Sequence, residues 1–398
     1  MFRKQGGLAT ESLKDKVAIV GVGYTPQGRV AGRSAASFHL EAARNAIADA
    51  GLKREDVDGI CSFSLPNTPM VMPWELAQQL GIHLRFCSQP MALGASGGCM
   101  IFHAAAALVY GLANYVVFTY GESPLSGGSV TGTGAYSHPH GDSTVFGFYG
   151  ATGGDAMAAR RGMHEFNTGP ETWSKIAVAQ RKWANLNPRA MMYDKKMSYE
   201  DYYNSRLVVE PFRLFDICQV SDSGRAFVMT TAERARDCKH HPVYVMGMGQ
   251  DHPATDAMQS TFLAGPIGSK LSGEEAFKMA GVSLKEIDAC EIYDCYTYTV
   301  EMTMMGYGFF GRGEGKDFFA NGRTAPGGEL PVNTSGGLLS EVYQMDFTPL
   351  TEAVIQLQGR AGERQLGPVT KTKEPEIMLV SGNGGSAFLV HSTTILRR

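Results

Sequence analysis

Short β-branched runs alternate with amphipathic stretches along the first part of the chain. Lys16 to Gly23 (KVAIVGVG) is apolar and closed by glycine, which predicts a buried strand. From Ser34 to Ala50 apolar residues recur at helical spacing, and Gly51 stands where a C-terminal cap belongs. Val57 to Phe63 returns to strand character. A second unit follows, with a helix after Ser96 ending near Gly111 and a strand over Tyr115 to Tyr120 (YVVFTY). This alternation predicts an α/β protein with a mainly parallel sheet.

Gly121 to Asp155 breaks the pattern with many Gly, Ser and Thr residues, and Ala156 to Leu207 is helical and rich in charge, Met and Tyr. Positions 121–210 therefore read as a loop and cap inserted over the sheet. The strongest organisational signal is internal. Ala48 to Asp58 (ADAGLKREDVD) matches Lys278 to Asp288 (KMAGVSLKEID). Ser96-Gly97-Gly98 is echoed by Ser335-Gly336-Gly337, and Gly224 to Val228 by Gly385 to Leu389. The echoes keep their order, so two duplicated α/β halves are expected, at 1–250 and 251–398.

Composition narrows the function. With 43% apolar residues, 19% charged residues and a net charge of −3, the 398-residue chain can bury a large core. It has no basic character for nucleic acid. Its seven cysteines are scattered without a CxxC pair, which argues against a disulfide framework or a cysteine zinc site and suits a reducing cytoplasm. The N-terminus has no apolar signal region, and the longest apolar stretch, Met100 to Ala113, is too short for a bilayer. His138 and His140 have ligand-like spacing but no carboxylate or cysteine cluster beside them, so no metal is expected. Gly21-Val22-Gly23 is too short for a dinucleotide fingerprint, and Gly311 to Lys316 lacks phosphate-loop spacing and reads as a turn near a substrate mouth.

Two halves, each with a glycine-led buried helix, resemble the thiolase superfamily, nearest the branch related to sterol carrier protein. The resemblance covers nearly the whole chain and implies a five-layer α/β/α/β/α fold. Where that family carries the nucleophilic cysteine of Cys-Ala-Ser-Gly, this chain reads Gly94-Ala95-Ser96-Gly97. The Asn-Glu-Ala-Phe or His-Asp-Cys-Phe element corresponds to Tyr293-Asp294-Cys295-Tyr296, and Gly-His-Pro to Val342-Tyr343-Gln344. The second cysteine falls on Val380. Both cysteines and the histidine are absent, so the scaffold is kept without its acyl-enzyme chemistry.

Cys99 reads as a small buried hydrophobe, and Cys295 sits beside the site without carrying the reaction. Phenols can donate a proton or hydrogen bond unaided. The pattern resembles the thiolase-like aldolases of steroid side-chain degradation, whose two active-site tyrosines would fall on Tyr293 and Tyr343. Backbone N–H groups at the Ala95–Gly98 helix start and around Gly382–Gly385 either form an oxyanion hole or pack a duplicated core. Gly94, Ser96, Asp294, Gly336, Gly337 and Gly384 are thus candidate substrate-positioning residues. Asp294 either orients a neighbour or caps the helix from Tyr298 onward.

The expected reaction is retro-aldol cleavage of a branched or ring-bearing β-hydroxyacyl-CoA, with the CoA thioester as substrate and no permanently bound cofactor. One alternative is a thiolase cleaving a β-ketoacyl-CoA such as benzoylsuccinyl-CoA with free CoA; another is a non-catalytic scaffold. The resemblance also implies a homodimer and a small acyl-CoA-binding partner of the zinc-ribbon/OB-fold type. A membrane partner is not expected.

Overall fold

One strand order is used twice. The computed structural model describes residues 12–64, 70–127, 150–252, 265, 267–385 and 390–398. In the first half, strands β1 (Val17–Tyr24), β2 (Gly59–Phe63), β3 (Phe86–Ser88) and β4 (Tyr115–Glu122) come with helices α1 (Ala35–Asp49), α2 (Pro73–Leu80) and α3 (Ser96–Val109). The cap follows as α4 (Gly150–Phe166), α5 (Pro170–Ala184), α6 (Tyr199–Asn204) and the small pair β5 (Leu207–Val209) and β6 (Phe212–Arg213). Strand β7 (Ser223–Thr231) and the short α7 (Ala232–Ala235) complete this half.

The second half holds β8 (Val243–Asp251), so it starts ahead of the 250/251 joint expected from the sequence, and then α8 (Ile267–Ala280), β9 (Ala289–Glu291), α9 (Thr297–Tyr307) and α10 (Gly315–Phe318). It continues with α11 (Gly337–Ser340), α12 (Phe347–Leu357), β10 (Ile377–Gly384) and β11 (Val390–Arg397). The strands run β3-β2-β4-β7-β1-β8-β11-β10-β9. Read outward from the β1–β8 joint, both halves have the same order. The counterpart of β3 is reduced to a parallel bridge between Cys290 and Val332.

The sheet is mixed, which corrects the expectation of a mainly parallel one. Pairs β2–β3, β2–β4 and β9–β10 are parallel, while β4–β7, β7–β1, β1–β8, β8–β11 and β11–β10 are antiparallel. The last strand of each half returns beside its predecessor through the cap or a short connection. Such returns need no crossover helix on the sheet.

Side-chain alternation builds the layers. In β1, Val17, Ile19 and Val22 face a central core, while Ala18 and Val20 face α1 and α2. The central core holds α3 and α12 between the two half-sheets, through Met100, Ala104, Leu350 and Val354. On the far side Met246, Leu379 and Ile395 pack under α8 and α9. This is the expected five-layer α/β/α/β/α arrangement, with the cap adding its own core around Trp173 and Phe212.

The matched segments at 48–58 and 278–288 occupy equivalent places. Each helix ends at a glycine with positive φ, Gly51 at +77° and Gly281 at +69°, followed by a single 3-10 turn. Asp58 then accepts from the N–H groups of Asn114 and Tyr115, and Asp288 from those of Glu376 and Ile377. Each aspartate thus ties down the start of the next parallel strand. Gly23 and Gly249 repeat a second device: a Cβ at either would lie 1.9 Å from a helix carbonyl, of Ala42 or Ser272. The Gly-Val-Gly of β1 is therefore a packing surface for α1. Positions 386–389 of the third echo lie outside the described residues, as do His138 and His140.

Candidate active site

Tyr293 leaves the C-terminal end of β9, where its N–H donates to Ser381 Oγ on β10 at 3.0 Å. Tyr343 arrives from a break in a helix. The chain turns out of α11 after Ser340 and resumes as α12 at Phe347, and residues 341–346 between them bring its ring to Tyr293. The two phenol oxygens stand 3.1 Å apart. Tyr293 is 3% exposed, whereas Tyr343 is half-buried.

The linking segment is held along its length. Arg225 Nη2 donates to Glu341 Oε1 at 2.5 Å in a buried pair. Ser221 Oγ accepts from Tyr343 N–H at 3.0 Å and donates to the Tyr343 carbonyl at 3.2 Å. Gln344 Nε2 donates to the same carbonyl. At the far end Asp346 reaches across to the other half and accepts from Gly97 N–H at 3.0 Å and Gly98 N–H at 2.9 Å. A tyrosine placed this way has little freedom left to lose when substrate arrives.

Gly94 sits next to this pair. A Cβ built on it would lie 2.5 Å from the Tyr293 hydroxyl oxygen and 2.2 Å from the Asn383 carbonyl. The phenol thus occupies the volume into which a nucleophilic side chain would project. Gly384 presses on the same turn, its Cβ position 2.3 Å from the Ala92 carbonyl. Ser96 Oγ accepts from Ala92 N–H at 3.0 Å and is buried. Val380, at the second cysteine position, is a core side chain.

The N–H groups of Gly97 and Gly98 are taken by the Asp346 carboxylate, so the α3 start does not present those donors to an oxyanion. A carboxylate there meets the favourable end of the helix dipole, while burial pushes the Asp346 pKa up to about 7. Asp294 repeats the arrangement on α11, accepting from Leu338 N–H at 2.9 Å and Leu339 N–H at 3.1 Å. Its pKa is also raised by burial to about 7. It therefore caps α11 and not the helix from Tyr298 onward, which was one of the two roles the sequence left open. Gly337, with φ +61°, leaves room for that carboxylate: its Cβ position is 2.2 Å from Asp294 Oδ2. Gly336, with φ +102°, packs on Ala184 of the cap.

The thiols are poor nucleophiles here. Burial, then the nearby Asp346 charge, raises the Cys99 pKa to about 12, and burial raises Cys295 well above its ordinary value. Among the described residues no group of three or more His, Cys, Asp or Glu is placed to hold a metal. Gly311 to Lys316 lies against the cap, where Gly311 N–H donates to Glu314 Oε2 and Lys316 pairs with Glu171. Sequence reasoning missed Ser221, Met345 and Asp346. The only available signal was that Met345 and Asp346 lie within three residues of Tyr343.

Residues 247–398 match a family model described as thiolase C-terminal domain-like. A steroid side-chain-cleaving aldolase of Thermomonospora curvata is 34% identical over 94% of this chain and 96% of its own. The 17-hydroxy-3-oxo-4-pregnene-20-carboxyl-CoA lyase of Mycobacterium tuberculosis is also 34% identical, over 94% of this chain and 97% of its own. A solved Ltp2-ChsH2(DUF35) aldolase superposes with a TM-score of 0.87 at 32% identity, covering 97% of this chain and 99% of that one.

Proposed function

Because this chain belongs to the thiolase superfamily, in the branch that holds steroid side-chain-cleaving aldolases, we propose that it is an acyl-CoA carbon–carbon lyase cleaving a branched or ring-bearing β-hydroxyacyl-CoA. The steroid thioesters named for its relatives are the substrate class we assign. The observation that carries the reading is the Tyr293 hydroxyl, which fills the space beside Gly94 and lies 3.1 Å from the Tyr343 hydroxyl. No side chain at position 94 can hold an acyl group, and two phenols stand in hydrogen-bond contact instead.

In this reading one phenol takes the substrate hydroxyl proton while the pair passes a proton on to the α-carbon. The Cα–Cβ bond breaks, and its electron pair stays on the α-carbon as the thioester enolate. Protonation of that carbon releases a shorter acyl-CoA beside the ketone or aldehyde. Both phenols end the cycle neutral, and no acyl-enzyme forms.

A partner of the DUF35 type is proposed from the assembly named in the related solved aldolase; we expect it to be the small zinc-ribbon/OB-fold acyl-CoA-binding subunit. A homodimer is proposed through the edge strand β3. Around it Tyr110 is 78% exposed and Leu112 53% exposed, an apolar surface that a second copy would cover. Seven free cysteines support a cytoplasmic setting, and among the described residues no helix is long and apolar enough to cross a membrane.

The test is a product assay on a branched β-hydroxyacyl-CoA, run with and without free CoA and with and without the DUF35-type subunit. Ketone or aldehyde plus a shorter acyl-CoA, formed without free CoA, is the expected result. An absolute requirement for CoA, with two thioesters as products, overturns the lyase reading. Full turnover by the chain alone removes the need for the subunit.

A further inference from the structure

We propose that Met345 is a positioning residue of the tyrosine pair, its thioether fixing the direction of the phenolic O–H bonds. The inference rests on the lyase reading and goes further, to a residue that touches both phenols. Met345 Sδ lies 3.0 Å from the Tyr343 hydroxyl and 3.5 Å from that of Tyr293, with each O–H able to donate to it. The two phenols carry two hydroxyl protons, and one can serve the 3.1 Å contact between them. The sulfur is placed to accept the other, and the shorter geometry runs from Tyr293 to Tyr343 to Met345.

A second observation is independent of the sulfur distances. Met345 has φ +52°, in the left-handed region that a long side chain adopts only at a cost. Such strain persists where the surroundings over-determine it. Here Tyr343 is held by Ser221 on one side and Asp346 by α3 on the other. The strained backbone turns a 2%-exposed side chain under the two hydroxyls. Leucine has similar bulk but no acceptor, so packing alone does not call for sulfur.

The chemistry suits a weak acceptor. A thioether holds an O–H in one direction without binding the proton tightly. Substrate oxygen or the enolate carbon can then take that proton at little cost. The sulfur forms and breaks no bond, so it adds nothing to the proton balance of the cleavage. It keeps the relay aligned between turnovers.

The experiment is a double-mutant cycle of Met345→Leu with Tyr343→Phe, measured as kcat and KM for the acyl-CoA with the thermal midpoint recorded alongside. We expect Met345→Leu to lower kcat about tenfold with KM within about twofold, less than the about 10²-fold or more that a positioned acid or base is itself worth. Met345→Gln, which restores an acceptor, should fall between wild type and Leu. In the Tyr343→Phe background Met345→Leu should cause no further loss, because its effect runs through that hydroxyl. Wild-type kcat in Met345→Leu, or a full additional loss in the double variant, overturns the proposal. The cycle run with Met345→Gln serves if the Leu variant does not fold. Failure of the wild type to cleave without CoA would sink the lyase reading instead, so the two failures are distinguishable.

Discussion

The starts of α3 and α11 show one device in two settings. At both, a buried aspartate takes two successive N–H groups: Asp346 those of Gly97 and Gly98, Asp294 those of Leu338 and Leu339. From there the halves diverge. Helix α3 runs unbroken from Ser96 to Val109, and the turn before it carries no side chain at Gly94. Helix α11 stops after four residues, and the chain bends through 341–346 before α12 takes its place in the central layer. That break delivers Tyr343, Met345 and Asp346. The unbroken copy supplies a wall, and the broken copy brings the proposed reactive groups up to it.

The sharpest way to break this comparison is to remove the phenol oxygens. Tyr343→Phe and Tyr293→Phe should each lower turnover by about 10²–10⁴-fold while the fold, followed by circular dichroism, stays intact. Wild-type rates in both would leave the break in the second half without a reactive role. Next comes Gly94→Cys, which puts a nucleophile back on the wall. Its side chain would meet the Tyr293 hydroxyl and the Asn383 carbonyl, so displacement of one phenol should cost about 10²-fold. Intact-mass spectrometry of the quenched variant should find no acyl adduct; one at position 94 would show that the wall can still carry thiolase chemistry.

The two caps predict a pH dependence. Asp294 and Asp346 have folded-state pKa values near 7, above the roughly 3.9 of an unfolded aspartate. The folded chain therefore holds protons that the unfolded chain releases between about pH 4 and 7, and their contribution to stability falls as pH rises through that window. Asp346→Asn should flatten the slope in denaturant titrations across it. It should also lower stability by about 1–3 kcal/mol, because one buried N–H loses its acceptor. An unchanged slope would mean that the carboxylate is ionised throughout. The smallest effect is expected at Cys99, on the inner side of α3. Cys99→Ala should keep kcat within about twofold and cost about 1 kcal/mol in stability; a hundredfold loss of turnover would return a thiol to the reaction.

The sequence by itself determined the duplication, because its devices are local. A glycine at positive φ, one 3-10 turn and an aspartate on the next strand start are all written within eleven residues, at 48–58 and again at 278–288. The glycine-closed apolar run of β1 and the helical spacing in α1 are equally local, so both elements could be read from the chain. The tyrosines were legible only through resemblance, since nothing in their neighbourhood separates them from core aromatics. Tertiary structure alone decided what the glycines and aspartates do. Asp346 meets Gly97 and Gly98 from about 250 positions away, and Gly94 is small because a phenol from the other half fills its space. Contacts at that separation leave no periodicity in the chain. The strand directions escaped for the same reason: the returns of β7 and β11 depend on which edge of the sheet was free, and only the assembled halves settle that.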